Sequence, residues 1–323
     1  MLKWNIIILL LMKSLTIIII NSLLNIMDDM KMSEKKKQFF IKEDGFHGEL
    51  FENSKNLYMN KILIICSGSD GDFEMTKKSA KFLSDKGINS LAIGYFNIPD
   101  GPNAINKVPL EYVEKAAMYL KSIGYEKIGI WGISIGSIYA LLSACYFPEL
   151  ISLVIAASPC YFVIQAMDSK KNILFDSSSF SYKGEEIPYE PYTVKMSMFK
   201  NLFQTIIHLE PNFSYLYEPL MNKVPEKHII PVEKMKAHVI LFSGKLDHLW
   251  PSTQSGEIII NRLKEKKYLY PYEHIIFEYG GHLMTFIETK LDKFMKANRK
   301  YSKEAEEYRK THLNKLLETM SVW

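Results

Sequence analysis

The pentapeptide Gly132-Ile133-Ser134-Ile135-Gly136 is the strongest chemical signal in the chain. It follows an apolar run, 127–131, that reads as a strand, and opens a segment, 134–146, that reads as a helix. A serine on a tight strand-to-helix turn takes strained backbone angles, and glycines two residues to either side let neighbouring segments approach. The turn lifts the hydroxyl out of the sheet, and the N–H of Ile135 at the helix start can donate to a developing oxyanion. A dinucleotide loop competes, because Gly129, Gly132 and Gly136 also bridge strand and helix. Their spacing is not G-x-G-x-x-G, however, and the unit is not the first strand of the fold.

A serine hydroxyl is a poor nucleophile at neutral pH, so a base must take its proton. Of the eight histidines, His282 directly follows a predicted strand, 274–279, after Gly280-Gly281. His248 is the rival, but it is the immediate neighbour of the candidate acid and cannot easily turn back to pair with it. The remaining histidines, at 47, 208, 228, 238, 274 and 312, read as surface or core residues. Asp247 lies just beyond the predicted strand 237–243, where a carboxylate would hold His282 in the useful tautomer. The plainer reading of Asp247 is a loop residue capping the next helix. The chain order Ser134, Asp247, His282 is that of α/β-hydrolases. A second oxyanion donor is expected from Ser67-Gly68-Ser69-Asp70-Gly71, with the Ser69 N–H first and Asp70 next. A glycine turn entering a helix would look the same.

These residues need a scaffold that brings distant strand ends together. Edge strands are expected at 38–42 and 47–52, and a strand buried on both faces at 61–66. The pattern then alternates: helix 74–86, strand 90–95, helix 109–122, strand 127–131, helix 134–146 and strand 150–157. Alternation of this kind predicts an α/β fold, a mostly parallel sheet with helices on both faces. Residues 160–236, rich in aromatics, Pro and Met, break it and read as a small, partly helical cap inserted over the strand ends. A peripheral insertion away from any substrate is the alternative. The sheet resumes with strand 237–243, helix 255–264 and strand 274–279, and residues 284–320 read as charged helix.

Composition narrows the function classes. With 47% hydrophobic and 24% charged residues the chain is globular, and a net charge of +4 without lysine clusters leaves no nucleic-acid footprint. Cys66, Cys145 and Cys160 sit in or beside apolar runs and read as buried free thiols of a reducing compartment. No Cys/His spacing suits zinc, and no metal or other cofactor is implied. Residues 1–30 form a hydrophobic segment ahead of a hydrolase-type domain over 31–323. The segment reads as a membrane tether at 5–26, a signal peptide without a small-x-small cleavage site, or an upstream start. As a tether, with Lys31, Lys35, Lys36 and Lys37 following it, the segment would keep the domain cytoplasmic, associated with the membrane through its N-terminus.

Three blocks carry a family likeness: IPVEKMKA at 230–237, Ser243-Gly244-x-x-Asp247-His248-x-Trp250-Pro251-Ser252, and Gly281-His282-Leu283. Together with Ser181-Tyr182-Lys183-Gly184, they make residues 61–287 resemble the C-terminal catalytic domain of acyl-CoA thioesterases and bile acid-CoA:amino acid N-acyltransferases, dienelactone-hydrolase-like members of the α/β-hydrolase superfamily. The resemblance implies the α/β-hydrolase fold and acyl-thioester chemistry on a small-molecule substrate such as an acyl-CoA, with Ser134, Asp247 and His282 in the triad positions. That family's nucleophile can be cysteine, notably in the acyltransferases, so Ser134 favours water as acceptor. An oxygen-ester carboxylesterase, an acyltransferase and a non-catalytic binding protein of the same fold are the other expectations.

Overall fold

The computed structural model describes residues 37–53, 57–168, 170–195, 197–221 and 223–323. The N-terminal segment, with the readings of tether, signal and upstream start, lies outside the described residues. Among those residues no helix is long and apolar enough to cross a membrane.

Eight strands form the main sheet: β1 (Gln38–Phe39), β2 (His47–Phe51), β3 (Lys61–Cys66), β4 (Ser90–Gly94), β5 (Lys127–Ile133), β6 (Leu153–Ala157), β7 (His238–Gly244) and β8 (Tyr272–Phe277). Their order is β1-β2-β4-β3-β5-β6-β7-β8. From β4 to β8 every pairing is parallel, whereas β1 and β2 run antiparallel at one edge. This is the α/β-hydrolase arrangement.

The unbroken apolar run of β3 follows from burial on both faces. Ile62, Ile64 and Cys66 join one core cluster, while Leu63 and Ile65 join the other. Helices α2 (Glu111–Ser122), α3 (Ile135–Tyr146) and α5 (Ser252–Glu265) contribute to the first cluster through residues such as Val113, Ile138 and Ile259. Helices α1 (Phe73–Asp85) and α6 (Ser302–Val322) supply Leu83, Leu316 and Met320 to the second. Helix α4 (Met198–His208) belongs to the insertion between β6 and β7.

Three predicted elements take different forms. Strand 38–42 stops at Phe39, because Asp44 Oδ2 accepts the Phe40 N–H at 2.9 Å and folds Ile41–Asp44 into one helical turn. The insertion is less helical than expected. Before α4 it carries the hairpin Gln165–Asp168 and Ile173–Ser178, and Phe180–Tyr182 pairs with Val108–Pro109 and Glu185–Glu186. Pairing at Val108–Pro109 delays the start of α2 to Glu111. The charged terminal helix begins only at Ser302. Ahead of it, buried Asp292 accepts from Thr289 N, Asn298 Nδ2 and Arg309 Nη1 at 2.7–3.0 Å. Side-chain bonds of that kind compete with a regular helix and fold 289–301 into short turns instead.

Candidate active site

Parallel strands deliver their following loops to one edge of the sheet. The strand order reverses between β3 and β5, so the loops after them diverge and leave a crevice. Ser134 follows β5 at that crevice, with φ 57° and ψ −125°. A non-glycine residue there costs about 1–3 kcal/mol and persists only where its surroundings over-determine it. Here the Ser134 N–H donates to Ala157 O at 2.9 Å, and Ser137 Oγ donates to Ser134 O at 2.6 Å. The flanking glycines are required by contact. A Cβ on Gly136 would stand 2.2 Å from Ser67 O, and one on Gly132 would stand 2.0 Å from Gly136 O. Close approach of β3's loop to the elbow also sets Gly68 beside Ser134.

His282 is 4% exposed, and its Nδ1 lies 2.9 and 3.0 Å from the two carboxylate oxygens of Asp247. Asp247 Oδ1 also accepts the Leu249 and Trp250 N–H groups at 3.0 and 3.3 Å, so a carboxylate at this position is held from two sides. The loops that carry the pair touch through backbone: a Cβ on Gly244 would meet Gly280 O at 2.2 Å. With Nδ1 facing a carboxylate, the imidazole keeps its proton there and leaves Nε2 as the acceptor.

The sequence did not single out Ser158, yet this buried residue ties the strand ends together. Its N–H donates to Phe242 O at 2.7 Å, its Oγ donates to His282 O, and its carbonyl accepts Trp250 Nε1 at 3.1 Å. Trp250 packs edge-on against the His282 ring, 5.5 Å between centroids. A serine at the carboxyl end of an apolar strand was the available signal, since β6 ends on the same sheet edge as β5 and β7.

Two cavities meet at Ser69, Ser134, Leu249 and His282. One, about 510 Å³ including its open mouth, lies under the insertion, which lines it with Met167, Asn172, Phe213, Leu216 and Tyr217. The other, about 1240 Å³ including its open mouth, runs between α1 and residues 283–295, with Asp70, Glu74, Lys78 and Lys290 among its polar lining. Ile135 lines the first, and Asp70 lines only the second. Asp247 lines neither; it sits behind the imidazole.

Of the sequence candidates, Ser134, His282, Ser69 and Ile135 share a cavity, and Asp247 reaches it through His282. The rival His248 bonds Glu210, whose hydrogen bond raises the imidazole's pKa. His274 bonds Ser243 Oγ and is pushed down to about 4 by burial, and His312, bonded by Trp131 Nε1 at 3.0 Å, is pushed down to about 3. His228 bonds Glu190, and His238 lies near Glu273. Cys66, Cys145 and Cys160 are buried free thiols whose pKa values burial pushes up.

Residues 108–287 match the model of the family "BAAT / Acyl-CoA thioester hydrolase C terminal". The chain belongs to this family. Among its curated relatives, mouse acyl-coenzyme A thioesterase 1 is 30% identical over 188 residues, 57% of this chain and 40% of the relative. Mouse acyl-coenzyme A amino acid N-acyltransferase 2 is 26% identical over 188 residues, with the same coverage. The match therefore spans well under half the length of these relatives. Among solved structures, a putative dienelactone hydrolase from Klebsiella pneumoniae is similar, with 14% identity, a TM-score of 0.47, and coverage of 81% of this chain and 87% of that one.

Proposed function

We propose that this member of the BAAT/acyl-CoA thioester hydrolase family hydrolyses acyl thioesters, acyl-CoA among them, through an acyl-enzyme on Ser134. The observation that carries the reading is a strained serine elbow and an Asp247-bonded histidine opening on one apolar cavity. Family membership supplies the thioester class.

In this reading His282 Nε2 takes the proton of Ser134 Oγ as the oxygen attacks the thioester carbonyl. The Ile135 and Ser69 N–H groups face the oxyanion of the tetrahedral intermediate, each donor being worth about 2.7–4 kcal/mol. The C–S bond breaks, and the imidazolium returns its proton to the departing thiolate. Water then enters, loses a proton to His282 and attacks the acyl ester. The C–Oγ bond breaks, Ser134 regains its proton, and a carboxylate leaves. Asp247 stabilises the imidazolium in both halves. Aromatic and aliphatic side chains of the insertion suit an apolar acyl chain in the smaller cavity. The larger, polar-rimmed cavity gives the leaving group and water a route.

The test compares hydrolysis of a medium-chain acyl-CoA and the matching p-nitrophenyl ester by the wild type and Ser134→Ala, with and without glycine as amine acceptor. The reading expects thioester turnover to free acid and its loss in the variant at unchanged melting temperature. Turnover of the oxygen ester alone, or acyl transfer to glycine in place of hydrolysis, would move the assignment to an esterase or an acyltransferase.

A further inference from the structure

Helix α4 presents an apolar face that the described protein does not cover. Phe199, Leu202, Phe203, Ile206 and Leu209 are 80, 58, 61, 63 and 66% exposed. Their spacing of three and four residues places them on one stripe. Neighbouring segments extend the stripe. Asn201 of α4 bonds Asn172 at 3.1 Å beside half-exposed Ile173, and Arg299 donates to Leu209 O near half-exposed Phe294.

The charges around this face are sorted by burial. In the three contributing segments, 168–173, 195–210 and 291–300, the acids are Asp168, Glu210 and Asp292. All three are buried and bonded within the fold. The cations of the same segments are exposed, Lys170, Lys195, Lys200, Lys293, Arg299 and Lys300 among them. Water therefore meets an apolar stripe whose contributing segments expose cations and no acid.

We propose that α4 is an interfacial helix that docks the protein on an anionic lipid surface. An apolar face bordered by Lys and Arg binds such a surface through buried apolar area and attraction to anionic headgroups. A second copy of this chain fits less well, because a two-fold contact would set two cation-only rims against each other. The docking face adjoins the smaller cavity, since Asn172 lines it and Phe213 and Leu216 follow α4 closely in the chain. The proposal stands on exposure and charge, independently of the thioester reading.

Cosedimentation of the full chain with phosphatidylcholine vesicles, with and without phosphatidylglycerol, tests it. Binding is expected on the anionic vesicles and should weaken as salt rises. Phe203→Ser/Ile206→Ser should lower the partition coefficient by about tenfold or more at unchanged melting temperature, since both side chains are exposed. Lys195→Gln/Lys200→Gln should weaken binding to anionic vesicles only. Undiminished binding by both variants would overturn the proposal and assign the vesicle to another segment, such as the apolar run at 6–20. Absence of vesicle binding would overturn it too, as would a dimer in sedimentation velocity that the serine variant abolishes while lipid binding is absent.

Discussion

Replacing Asp247 by Asn probes the proposed proton relay with little change of shape. Both carboxylate oxygens stand within hydrogen-bond reach of His282 Nδ1, and Oδ1 also serves the backbone of Leu249 and Trp250. An amide satisfies the backbone with its oxygen, which turns its NH2 group toward the imidazole. A donor facing Nδ1 forces the proton onto Nε2, the atom that must accept from Ser134. Loss of the correct tautomer and of imidazolium stabilisation in a triad of this kind costs roughly 10⁴ in kcat, about 5.5 kcal/mol. Asp247 lines neither cavity, so KM for an acyl-CoA should change little. Release of free thiol, followed continuously over a range of acyl-CoA concentrations, gives both constants. Retention of kcat within about tenfold of wild type by a folded variant would refute the relay as derived.

Three further outcomes follow from the same geometry. Gly136→Ala must open the 2.2 Å approach to Ser67 O by about 1 Å, and displacement on that scale at a catalytic elbow lowers kcat by roughly 10²-fold; kcat and the melting temperature should fall together, and an unaffected variant would mean that the elbow is looser than drawn. Leu216→Trp should narrow the smaller cavity and shift kcat/KM toward shorter acyl chains, by about 0.8 kcal/mol for each methylene no longer buried; an unchanged chain-length profile would place the acyl group elsewhere. His312 is held at about 3 in the fold against about 6.5 unfolded, so its contribution is complete above pH 6.5 and is lost as pH falls toward 3. Urea unfolding between pH 6 and 4 should show stability dropping by about 1.4 kcal/mol per pH unit for this one group, with His274 adding a similar slope that fades as pH falls through its own value of about 4, and a flat profile would contradict both assignments.

Much of the geometry of this candidate site was legible because its residues sit on regular elements. The run KILIIC at 61–66 and the G-x-S-x-G at 132–136 each combine a local pattern with a fixed place on a parallel sheet, so strand and loop could be read together. His282 and Asp247 were found as strand-end residues, and they pair across 35 positions because β7 and β8 are parallel neighbours. Periodicity says little where short strands pair over long range. The strands Phe180–Tyr182 and Val108–Pro109 are too brief to show alternation, and only tertiary pairing reveals them. Asp292 misled the reading of 284–320 for a related reason: its bonds to Thr289, Asn298 and Arg309 exist only once the chain has folded around a buried carboxylate. Ser158 carried no motif at all, and its role follows from three long-range hydrogen bonds that sequence spacing does not encode.

The proposal that Ser134 carries the acyl group is tested most directly by rapid quenching of the enzyme during acyl-CoA turnover, with mass analysis of the peptide that holds residues 132–136. The account predicts an adduct of one acyl group less one hydrogen on Ser134, formed before free acid accumulates and lost in a His282→Ala variant, which lacks the base that both half-reactions need. Steady turnover with that serine unmodified, and undiminished in Ser134→Ala, would contradict it.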